Sequence, residues 1–96
     1  MKADFDSKAN ALSIDLGAPR HWDHSEKVAS RTFVAIAGET PVNVELLFPD
    51  LGIDEPLRAA AKRFDLDAEA LIAAARAAIA APDRPVTLEV GVRIAA

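Results

Sequence analysis

The chain reads as an α+β protein, with an antiparallel meander of four strands over residues 2–48, two helices over 54–81 packed on one face, and a fifth strand over 86–94. Three observations lead there. Apolar residues recur at every second position in Leu12, Ile14 and Leu16, in Val42, Val44, Leu46 and Phe48, and in Val86, Leu88, Val90, Val92 and Ile94. Between these runs, Leu57, Ala60, Ala61 and Phe64 repeat at the spacing of one helix face. Turn residues and prolines separate the two kinds of pattern.

Each element follows from its residues. Residues 2–6 alternate weakly, and Ser7-Lys8-Ala9-Asn10 supplies a polar turn in which Asn10 tolerates a left-handed backbone. Leu12, Ile14 and Leu16 then share one face, with Ala11, Ser13 and Asp15 on the other, as in a sheet with one wet side. Gly17 to Ser25 has no period and forms a loop, long for a hairpin connection. Residues 26–36 are rich in β-branched side chains and read as one long strand. Its alternation is imperfect, since Phe33 lies opposite Val34 and Ile36, so a bulge or two-sided burial is expected. Ala37-Gly38-Glu39-Thr40 turns the chain into the strand that carries Val42 to Phe48.

Pro49 to Asp54 breaks the strand pattern, and Asp54 is placed to cap the next helix, with Pro56 in its first turn. Asp65 or Asp67 starts the second helix. With Asp67 as cap, Glu69 favours the helix dipole and Leu71, Ile72, Ala75 and Ile79 form the buried stripe until Pro82 ends it.

Composition bounds the function. With 96 residues, 51% of them hydrophobic and 27% charged, the chain is expected to fold as one domain, 1–96, around one core. A core this small makes a dimer helpful. The net charge of −4 argues against broad binding to nucleic acid or anionic lipid. Absence of cysteine excludes disulfides, thiolate metal sites and thiol nucleophiles. That absence suits a reducing compartment, so the cytoplasm is expected, and Met1 to Asp6 reaches acidic residues at once, unlike a signal peptide. The alanine-rich run from Ala70 to Ala81 is far shorter than the ~20 apolar residues that span a bilayer, so no membrane segment is expected.

The run Phe5-Asp6-Ser7-Lys8-Ala9-Asn10-Ala11-Leu12-Ser13-Ile14, with Val42-Asn43-Val44-Glu45-Leu46 downstream, resembles a bacterial family of small proteins, domain of unknown function 2283. That family's pattern opens aromatic-Asp-x-x-Ala-Asp-Ala-Leu-Tyr-Ile and continues in a Val-Gly-Ile-Glu-Ile strand. Here Asn10 stands for the second Asp, Ser13 for the Tyr and Asn43 for the Gly. The likeness spans residues 2–48 and brings no catalytic residues with it. Some members look like the smaller partner of toxin-and-antitoxin pairs, which implies protein binding. The helical half from Asp50 lies outside the resemblance, and the long loop at Pro19 to Ser25 reads as this chain's own elaboration.

Few constellations carry chemistry. His21, Asp23 and His24 put two imidazoles and a carboxylate in one loop, a ligand set for zinc, nickel or iron that Asp15, Glu26 or Asp6 would complete. The plainer reading is a solvated loop. Trp22 in the same loop either anchors a partner or folds back over the core. Ser25, His24 and Asp23 are sequence neighbours with no nucleophile elbow, which excludes a triad. Glu45 and Asp15 could pair for acid–base work, yet polar strand faces hold such residues for solubility. The two helices suggest a helix-turn-helix, but the second offers only Glu69 and Arg76 to a DNA groove.

Ala70, Ala74, Ala77 and Ala81 form a small-residue stripe away from Leu71 and Ile79, which either contacts a partner or reflects helix propensity alone. The leading expectation is therefore a non-enzymatic interaction module that forms a homodimer or binds a small protein, through Trp22 or the alanine stripe. The alternative is a small-molecule or metal site at His21, Asp23 and His24, with or without catalysis. No motif specifies a cofactor, and neither nucleic acid nor membrane is an expected partner.

Overall fold

A computed structural model describes residues 1–17 and 21–88. The α+β class is as expected: two helices pack against one face of a six-stranded antiparallel sheet. Strands β1 (Lys2–Asp6) and β2 (Ala11–Asp15) form the first hairpin, in which Lys2 faces Asp15 and Phe5 faces Leu12. Its polar turn closes on Asp6, whose Oδ1 accepts the amides of Lys8 (3.0 Å) and Ala9 (3.1 Å), and Asn10 is left-handed at φ 54°.

The expected long strand over 26–36 is instead a hairpin of β3 (His24–Ala29) and β4 (Thr32–Ala37), turning at Ser30-Arg31. Arg31 sits in the left-handed region at φ 63°, costly for a residue with a Cβ. Its guanidinium offsets the cost by donating from Nη1 to the carbonyls of Leu47 (2.9 Å) and Phe48 (2.7 Å). Within β4 the alternation is regular: Thr32, Val34 and Ile36 are buried, and Phe33 is half-buried on the opposite face. The register also slips between Lys27 and Ala29 and between Ala35 and Ile36, where bulges interrupt the ladder.

Strand β5 (Thr40–Leu47) pairs with β4 on one side and β2 on the other, so Ile14, Val44 and Val34 lie side by side across three strands, fully buried. The strand order is β3-β4-β5-β2-β1-β6, with β6 at Val86–Thr87. The expected meander is thereby corrected: β2 neighbours β5, and β3, the next strand in sequence, lies three places away at the far edge. Three strand spacings of ~4.8 Å must be covered, which explains a connection too long for a hairpin. Phe48, expected on the inner face, lies outside the strand in a left-handed conformation, φ 50°, and is 47% exposed.

Helix α1 (Asp54–Phe64) begins at Ile53, with no side-chain cap; Asp54 is its first residue, and its carboxylate lies 3.4 Å from Arg76. Asp65, left-handed at φ 57°, turns the chain sharply, and the Leu66 amide donates back to Ala61 O (2.8 Å). Helix α2 (Ala68–Ala80) is capped as expected by Asp67, whose Oδ1 accepts the Ala70 amide at 3.1 Å. Leu57, Ala60, Ala61, Leu71, Ile72, Ala74, Ala75 and Ala78 from the helices close the core over Leu12, Ile14, Val34, Ile36, Val44 and Leu46. No helix among the described residues is long and apolar enough to cross a membrane.

The carboxy-terminal strand returns to the same sheet, where Val86 pairs with Ala3 and Thr87 with Lys2. Residues 89–94 of the expected strand lie outside the described residues. Asp83 fastens this return: Oδ1 accepts the Ser7 amide (2.8 Å), Oδ2 accepts the Ser7 hydroxyl (2.7 Å), and its own amide donates to Phe5 O (2.7 Å). The Ser7 amide and then the Ser7 hydroxyl hold the carboxyl below the usual 3.8.

Because the folded value lies below the unfolded one, the latch contributes fully above pH 3.8 and is lost as pH falls through the folded value. Thermal unfolding of wild type and Asp83→Asn should therefore differ at neutral pH, with wild type the more stable, and converge in acid. A gap that does not change with pH contradicts the latch.

Candidate functional site

The loop entering β3 is braced from both sides of one residue. The Asp23 amide donates to Ile36 O (2.8 Å), and its Oδ2 accepts the Gly38 amide in the β4–β5 turn (2.7 Å). Between this anchor and His21, Trp22 stands 53% exposed, so it does not complete the core. His21 and His24 are exposed as well.

The metal constellation is not assembled. Among the described residues no three His, Asp or Glu side chains are grouped to hold an ion, His21, Asp23 and His24 included. The physical reason is that the carboxylates are engaged elsewhere, three with backbone amides and Glu26 with a guanidinium. Asp23 binds Gly38, Asp15 accepts the Gly17 amide (2.9 Å), Asp6 closes its own turn, and Glu26 pairs with Arg63 on α1 (2.7 Å). Asp23 is thus committed away from His24 and Ser25, and no triad forms.

The alanine stripe is also corrected. Ala70 (3% exposed) and Ala74 (1%) belong to the chain's own core, while Ala77 and Ala81 are half-buried. Helix α2 packs against both β1 and α1, so its buried surface wraps well beyond the Leu71 side of the helix. Small side chains there let α2 approach its neighbours closely.

Among the described residues, the sheet face opposite the helices is left uncovered. Alternation places Lys2 and Asp4 of β1, Ser13 and Asp15 of β2, Asn43 and Glu45 of β5, Phe33 and Ala35 of β4, and Ser25 and Lys27 of β3 on it. Glu45 faces Ser13 and Asp15 faces Asn43, so the two carboxylates considered as a pair share this face on a diagonal. Asn43 Nδ2 donates to Ser13 Oγ at 2.9 Å. Beside that bond, Lys2, Ala3, Asp4, Ser13, Asp15, Asn43 and Pro85 line a shallow recess of about 220 Å³. Sequence reasoning missed this grouping because it depends on which strands are neighbours. Its only trace is the polar set at alternate positions.

At the other end of the sheet the segment after β5 exposes Phe48 and Leu51 (68%) while Pro49 is buried. No family model, curated protein or solved structure matches the chain.

The placement of Ala74 has a direct consequence. Ala74→Leu should lower stability in urea unfolding by about 1–3 kcal/mol, the cost of overpacking a filled core. A change within about 0.5 kcal/mol, as at an open surface, contradicts it.

Proposed function

We propose that this chain is a non-enzymatic protein-interaction module that uses the Trp22 loop to engage a partner protein. The supporting observation is Trp22 itself, the only tryptophan, half-exposed on a loop that Asp23 fixes to β4 and to the β4–β5 turn. An indole held outward offers a large contact area, and tryptophan is enriched among residues that dominate binding. The competing use of the loop, catalysis or metal binding at His21, Asp23 and His24, lacks this support, since these side chains are not grouped to hold an ion among the described residues.

The likeness of residues 5–14 and 42–46 to domain of unknown function 2283 supports the same reading, since kinship with that family would make an antitoxin-like or self-associating role natural. A cytoplasmic setting accords with the absence of cysteine.

The test places a photo-cross-linking residue at position 22, and separately at exposed Lys62, in cells that make the protein. Position 22 should yield one discrete adduct, identified by mass spectrometry, and Trp22→Ala should weaken the recovered complex by about thirtyfold, equivalent to the ~2 kcal/mol of a hot spot. No adduct from position 22, or the same diffuse labelling from both positions, overturns the reading.

A further inference from the structure

The open sheet face carries two straight rows of side chains. Cross-strand register aligns Lys27, Phe33, Glu45, Ser13 and Asp4 in one row, and Ser25, Ala35, Asn43, Asp15 and Lys2 in the next. The rows are complementary on four of the five strands, the exception being β3, where Lys27 stands beside Ser25. On β1 an anion stands beside a cation, on β2 a hydroxyl beside a carboxylate, on β5 a carboxylate beside an amide, and on β4 a large ring beside a small methyl.

We propose that this face is the interface of a homodimer, with a second copy of the chain stacked on it through a two-fold axis that lies between the sheets, perpendicular to the strands. This rests on the interaction-module reading and names one partner for it. Such an axis stacks each strand on its own copy and exchanges the two rows. Asp4 then meets Lys2 of the second copy, Ser13 meets Asp15, Glu45 meets Asn43 and Phe33 meets Ala35. Outside the rows, half-buried Leu47 meets Pro41. Every contact occurs twice.

The geometry selects this axis over the other simple one. A two-fold parallel to the strands between β5 and β2 would lay Phe33 on Asp4 and Ala35 on Lys2, desolvating charges against apolar groups. In the chosen arrangement the recess at Lys2, Asp4, Ser13, Asp15 and Asn43 receives the β1 side chains of the second copy. Within one copy, Lys2, Asp4 and Glu45 form no ion pair or hydrogen bond through their side chains among the described residues, which leaves them available to it. Two sheets packed this way lie ~10 Å apart with strands within ~30° of alignment.

Sedimentation equilibrium on the full chain at low salt tests the arrangement, with circular dichroism confirming that each variant folds. Wild type should show a concentration-dependent monomer–dimer equilibrium. Lys2→Asp or Asp4→Lys converts two attractions per dimer into two repulsions and should raise the dissociation constant about tenfold. The double exchange Lys2→Asp with Asp4→Lys should restore it to within about threefold of wild type, and Ala35→Arg should leave a folded monomer. A wild-type monomer at every concentration, a double exchange as weak as its two parts combined, or a dimer that survives Ala35→Arg overturns the proposal. If the dimer is absent while position 22 still cross-links a second protein, the interface fails and the interaction-module reading stands; a dimer without that adduct has the reverse meaning.

Discussion

The pairing of β2 with β5 is the constraint on which the rest of the structure depends. It seats Ile14 beside Val44 and Leu12 beside Leu46, and it joins the β1–β2 hairpin to the β3–β4–β5 meander as one sheet. Without it each part would be a small ribbon with an unpaired edge and too little apolar area to stabilise it. With it, a continuous apolar surface forms for the helices to cover. The chemistry of the turns serves the same join: Phe48 donates its amide to Asn10 O, Arg31 caps Leu47 and Phe48, and Leu16 donates to Val42 O.

That join also sets what is exposed. Because β2 is interior and β3 lies at the far edge, His21, Trp22, Asp23 and His24 stand where the chain enters that edge strand. Asp23 is spent on anchoring that entry, which separates the histidines from a shared ligand and leaves Trp22 outward. The same order brings Asn43 and Glu45 next to Ser13 and Asp15, so the polar face becomes one surface. Both helices lie on the far side, where α1 covers β3, β4 and β5 and α2 covers β1 and β2.

Much of the architecture was legible in local pattern. Period-two alternation at Leu12 to Leu16 and Val42 to Leu46, helical spacing at Leu57 to Phe64, and the Asp67 cap each report the backbone state of their own segment. Pairing between distant strands leaves no such mark, so local pattern alone places β2 beside the next strand in sequence. The Ser30-Arg31 turn was hidden for a different reason. Arginine carries no turn preference, and its left-handed backbone is stabilised by carbonyls of Leu47 and Phe48 that only the fold brings near.

The site was less legible than the fold. Trp22 stood out by composition, but whether it faced core or water depended on the loop entering β3. Ala70 and Ala74 looked like a surface stripe because alanine carries no sign of burial; only the double packing of α2 against α1 and β1 decides it. Cross-strand Hα–Hα nuclear Overhauser contacts between β2 and its neighbour test the central pairing most directly. The account predicts contacts linking residues 12–14 of β2 to residues 44–46 of β5. Contacts from β2 to residues 24–29 of β3 in their place would contradict the strand order and, with it, both surfaces built upon it.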